Sequence, residues 1–196
     1  MPNISVPMGL QPYFHDDGGY TRSDRWFVPA TNATAIFRGD PVVRTASGLN
    51  VATQVPECAR AAAGGPFTGV AMGFFPTGSL ALAGGAHLPA STGMYVDVYT
   101  NVNQLYTIRG NGAALLTAAQ AATAVGLNAS VSYATAGNTL QGWSGATLDE
   151  STLATTASLP LKIVDFLRLV TNELGQFPVF VVKINQHTMA VNTAGI

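Results

Sequence analysis

The side chains best suited to acid–base or metal chemistry are His15, His87 and His187, and they stand far apart in the sequence. A zinc-binding helix needs two histidines one turn apart, as in His-Glu-x-x-His, and no such spacing occurs. His15-Asp16-Asp17 puts three potential ligands in a row, but adjacent side chains cannot all turn to one ion. A solvated turn is the simpler reading, and no metal is expected. Gly142-Trp143-Ser144-Gly145 approaches a serine-hydrolase nucleophile elbow and fails at its last position, where Ala146 stands in place of glycine. Gly110-Asn111-Gly112 has Leu115 where a dinucleotide loop needs its third glycine, and no phosphate-binding Gly-Lys-Ser/Thr occurs. Asp149 and Glu150 are consecutive, whereas paired acid–base catalysis places two carboxylates across a cleft, so they are expected to cap a turn. Cys58, the single cysteine, has no base nearby in sequence and reads as an inert small residue. The expectation is a protein that is not an enzyme, with no catalytic residues and no cofactor.

The elements that would position these residues are mostly short strands. Met94, Val96 and Val98 alternate with Tyr95, Asp97 and Tyr99 at the strand period, and Asn101-Val102-Asn103 is then expected to make a hairpin connection to Leu105-Tyr106-Thr107-Ile108. Ile36-Phe37 and Val42-Val43 flank a Gly39-Asp40-Pro41 turn. Further strands are expected over 67–75, 130–134 and 177–184. Residues 113–125 are alanine-rich and favour a helix. Leu161 to Val170 fits neither period cleanly and is read as a strand, with a helix as the alternative. Short strands at this spacing predict a mainly β protein, a compact sandwich or barrel-like domain with at most one or two short helices. That domain is expected over 36–196.

Ahead of it, Pro2, Pro7, Pro12, Pro29 and Gly18-Gly19 interrupt helix and sheet hydrogen bonding, which predicts an extended N-terminal arm over 1–35. Its aromatic residues Tyr13, Phe14, Tyr20, Trp26 and Phe27 are the candidate partner-binding anchors. Folding back on its own domain is the alternative for this segment.

Composition narrows the partners. Charged residues are 10% of the chain, against roughly 25% in a typical soluble domain. A net charge of −1 with scattered Lys and Arg gives no basic stripe for nucleic acid. The weakly apolar stretch 113–125, interrupted by Thr117, Gln120 and Thr123, falls short of the roughly 20 apolar residues that span a bilayer, so no membrane segment is expected. The first residues carry no basic region ahead of an apolar core, so synthesis in a cytoplasm is expected. Low charge and a positive mean hydropathy suit burial against other subunits, and a homo-oligomer, dimer or trimer, is expected.

Taken together, the proline- and aromatic-bearing start, the segment Ile36-Phe37-Arg38-Gly39-Asp40-Pro41-Val42 and the segment Phe67-Thr68-Gly69-Val70-Ala71-Met72-Gly73-Phe74 form a pattern. It continues through Val96-Asp97-Val98-Tyr99, Leu148-Asp149-Glu150-Ser151, Leu161-Lys162-Ile163-Val164-Asp165 and Val181-Val182-Lys183-Ile184-Asn185-Gln186-His187. In this order the segments resemble the head decoration, or capsid cement, proteins of tailed bacteriophages, over nearly the whole chain. The resemblance implies a virion structural protein made in the host cytoplasm and seated on the outer surface of an icosahedral capsid. There it would bridge neighbouring major capsid protein subunits, with the arm reaching along the shell. A phage tail or fibre component, or a carbohydrate-binding β module, is the competing reading; Trp143 clustered with tyrosines around a concave polar site would favour it.

Overall fold

The chain forms two joined β structures in a computed structural model that describes residues 3–77, 85–115 and 117–190. Its strands are β1 (Gln11–His15), β2 (Ser23–Val28), β3 (Pro41–Leu49), β4 (Pro56–Arg60), β5 (Gly69–Pro76), β6 (Met94–Tyr99), β7 (Gln104–Arg109), β8 (Asn128–Ser132), β9 (Thr147–Ala154), β10 (Leu161–Phe166) and β11 (Val179–Ile184). One short helix, α1 (Ala118–Thr123), lies between β7 and β8. Strands β2-β4-β3-β5-β6 close into a barrel, and β1-β7-β11-β10-β8-β9 form a six-stranded sheet. The protein is therefore mainly β, as the turn spacing predicts.

Each β structure has its own core, and β3 and β5 serve both. Alternation along β6 sends Met94, Val96 and Val98 into the barrel, where they meet Trp26, Val28, Ile36, Val42, Cys58, Ala71, Phe74 and Leu88. On β5 the next position, Val70, turns the other way. It joins Phe67 and Ala61 against Tyr106, Ile108, Leu148, Leu161, Ile163 and Phe180 of the sheet. On β3, Val42 and Val43 divide in the same way, so a two-residue period fastens barrel to sheet through both strands.

Residues 1–35 differ from the expected arm. β1 pairs antiparallel with β7, and β2 is a barrel strand, antiparallel to β6 from Ser23↔Tyr99 to Val28↔Met94 and parallel to β4 at Phe27↔Glu57. Leu10, Trp26 and Val28 are buried. The boundary expected at 35/36 separates no independent unit. Two of the segment's prolines sit where a missing N–H costs little: Pro12 on the sheet's edge strand and Pro29 just past the end of β2.

The helix expected over 113–125 is only six residues long. Thr117 caps it, its hydroxyl accepting from the Gln120 N–H while the Gln120 side chain accepts from the Thr117 N–H. The run 161–170 is a strand as far as Phe166, after which the chain leaves the sheet.

Candidate functional site

The residues first suspected of chemistry are dispersed and mostly serve the fold. His15 ends β1 and is buried, its Nδ1 3.8 Å from Asp17 Oδ1. The neighbouring carboxylates turn to different partners: Asp16 accepts from Lys183 Nζ at 3.1 Å, and Asp17 accepts from Asn103 Nδ2 at 3.1 Å and the Gly19 N–H. No group of three or more His, Cys, Asp or Glu able to hold a metal occurs among the described residues. His87 stacks on Phe37, with ring centroids 4.8 Å apart.

Ser144 is buried and donates to Asp40, itself buried, while accepting from the Ala146 N–H. Burial raises the Asp40 carboxyl above its ordinary range, opposed by the bonds from Ser144 and the Phe37 N–H. Asp40 also sits beside Phe37, so this pair ties the 37–40 turn to the 144–146 segment. Cys58 lies in the barrel core, where burial pushes its thiol up to about 12, so it stays protonated.

His187 follows β11 at the seam between the two β structures. It bridges Phe67, whose N–H donates to Gln186 O and whose carbonyl accepts from Thr188 N. Its Nδ1 accepts from the Met189 N–H at 3.1 Å. Burial lowers its pKa from 6.5 to about 4. Between these values the unfolded chain holds a proton that the folded chain does not. The stability due to the neutral imidazole is therefore full above 6.5 and is lost as pH falls toward 4. Urea unfolding across that interval is expected to show up to about 3 kcal/mol of loss in the wild type, and a shallower slope in His187→Leu. Equal slopes would remove His187 as the cause.

The five aromatic anchors expected in the arm divide. Trp26 is 4% exposed inside the barrel, and Phe27 is half-buried with its ring 5.5 Å from Tyr95. Trp26 is thus enclosed in the core, whereas Phe27 is partly exposed on the outer face of β2. Tyr20 is exposed in the turn between β1 and β2. Tyr13 and Phe14 are half exposed on β1, packed edge to face at 4.8 Å, with both side chains out because the β1–β7 register slips between Pro12 and His15. They line a groove of about 240 Å³ with Val164, Phe166, Leu167 and Val181. Asp16, Asp165 and Arg168 also border it, and Arg168 Nη2 lies 3.2 Å from Asp165 Oδ2.

Beyond the groove, Leu169 and Val170 stand exposed, Val170 completely. The residues that 1–35 alone does not reveal are those of 164–170. Their signal is an apolar run that continues past the strand and matches no buried period. Together these side chains extend the apolar surface of the groove across the sheet from β1 toward β10. Pro12 and the register slip blunt β1 against adding a further strand.

Fold and surface together define a mainly β protein, a closed barrel joined to a six-stranded sheet, with an exposed, largely apolar groove that runs over the sheet from β1 to β10. Compared with known proteins, the chain matches no protein-family model, no curated sequence and no solved structure.

Proposed function

We propose that the chain is a virion structural protein that decorates the outside of an icosahedral phage capsid and bridges neighbouring major capsid protein subunits. In this reading it acts as a dimer or trimer and takes no part in catalysis. The exposed Tyr13–Phe14 groove carries the reading, because an aromatic pair beside aliphatic side chains is the chemistry of a protein-docking centre. The order of short segments that resembles capsid cement proteins, and a chain with only 10% charged residues, support it.

Docking is assigned here to the sheet edge and the 164–170 run, in place of a free arm. The test is co-sedimentation of the purified chain with capsids that lack it. Tyr13→Asp/Phe14→Asp changes only half-exposed side chains, so the fold is expected to survive. Binding is expected to weaken at least about thirtyfold, or about 2 kcal/mol. Tyr20→Ala, at an exposed turn, is expected to bind like the wild type. If the wild-type chain stays in the supernatant, or the double variant pellets as well as the wild type, the proposal fails.

A further inference from the structure

A second concave surface lies between residues 5–8 and the 135–145 segment, and it differs from the Tyr13–Phe14 groove in chemistry. It has a volume of about 300 Å³ and includes Ser5, Thr135, Asn138, Gln141 and Trp143 in its wall, with Val6 and Met8 as apolar lining. No charged residue lines it. An indole beside uncharged hydroxyls and amides suits a ligand that has both apolar C–H faces and neutral hydroxyl groups. We propose that this groove binds a neutral saccharide.

The loop is held in place before any ligand arrives. Asn138 Oδ1 accepts from the N–H groups of Leu140 and Gln141, and the Asn138 N–H donates to Trp143 O at 2.8 Å. Gly142 has a φ of +76°, and a Cβ there would stand 1.8 Å from Ala86 O, so no other residue fits the turn. Backbone bonds from Arg38 N to Gly142 O and from Ser144 N to Arg38 O pin the segment that carries Trp143.

The Arg38 guanidinium lies 5.2 Å from the indole centroid and donates through Nε to Met72 O, and Arg38 is not part of the groove wall. The indole is thus fixed from one side and presented to the groove. Gln141 Oε1 accepts from Asn138 Nδ2, which leaves the Gln141 amide nitrogen to donate to a hydroxyl. A preorganised site of this kind loses little entropy on binding. With no cation in its wall, it has no partner for the carboxylate of an acidic sugar.

The groove and the Tyr13–Phe14 surface share no residue, so this proposal stands apart from capsid binding. The test uses the isolated full chain and no capsids. Maltohexaose, cellohexaose, xylohexaose and chitohexaose are titrated by calorimetry up to millimolar concentration, with an oligogalacturonate as the acidic comparison. At least one neutral oligosaccharide is expected to bind and the acidic one is not. Trp26 lies in the barrel core, so a change in indole fluorescence on binding reports Trp143.

Trp143→Ala is expected to weaken the binding about tenfold or more. Gln141→Ala alters only an exposed side chain, so it carries the test even if Trp143→Ala does not fold; it is expected to weaken binding about threefold to tenfold. Failure of every neutral saccharide to bind, equal binding by the oligogalacturonate, or wild-type affinity in Gln141→Ala would each overturn the assignment.

Discussion

Deleting residues 1–29 is expected to leave no folded domain. β2 is the stave that closes the barrel, bonded to β6 along its whole length and to β4 at Phe27↔Glu57. Without it the barrel opens, and β4 and β6 become bare edges over an exposed core. Trp26 and Val28 leave the barrel core, and Leu10 leaves the core between barrel and sheet. Truncating one buried tryptophan to alanine costs about 3 to 5 kcal/mol, against a total stability of about 5 to 15 kcal/mol for a whole domain. Trp26→Ala alone is therefore expected to remove a large part of the stability, and loss of both strands to exceed all of it. Circular dichroism and urea unfolding of the chain 30–196 check this. A cooperative transition in the truncated chain would show that β2 is dispensable and that the N-terminal segment is an appendage after all.

That expectation reverses the one drawn from the sequence, and the reason lies in particular residues. Proline at four places in 1–29 reads as an obstacle to sheet, yet sheet tolerates proline at edges and strand ends, and Pro12 and Pro29 occupy such positions. Whether a strand is an edge depends on its neighbours in space, which no local window contains. The bounds of β6 and β7 lie where alternation puts them, but the hairpin expected across 101–103 does not form: β6 pairs with β2 and β5 in the barrel, and β7 with β1 and β11 in the sheet.

β4 and β9 went unread for a different reason. β4 opens on Pro56 and carries Glu57 and Arg60, and β9 carries Asp149 and Glu150, so neither shows an apolar run. In β9 the polar side chains have partners from another part of the chain. Of the candidate surface, Tyr13 and Phe14 were legible as aromatic residues in a polar, proline-rich setting. Trp26 and Phe27 looked alike in sequence and differ only because β2 is enclosed on both sides.

Glu150→Gln is expected to lower the melting temperature by about 10 °C, from a loss of about 3 kcal/mol. Glu150 is 2% exposed, and its carboxylate gathers three backbone donors: Gly112 N at 3.0 Å to Oε1, and Ala114 N and Leu115 N, each at 2.9 Å, to Oε2. The glycine segment that resembles an incomplete dinucleotide loop does cradle an anion, and the anion is the protein's own side chain. A Cβ on Gly110 would stand 2.1 Å from Glu150 Oε1, so the close approach requires glycine.

A glutamine has nearly the same shape but only one acceptor oxygen. Its amide nitrogen would face at least one backbone N–H, donor against donor, in a buried place where water cannot easily substitute. The loop so released leads into α1, whose Ala121 is fully buried against the sheet core, so the loss spreads beyond the loop itself. Asp149→Asn is the comparison. Asp149 Oδ1 accepts from Asn111 Nδ2 and Ser151 at a half-buried position, so a drop of about 3 °C is expected there. Differential scanning calorimetry of both variants separates the cases. A melting temperature for Glu150→Gln within about 2 °C of the wild type would show that water or a shifted loop replaces the lost bonds.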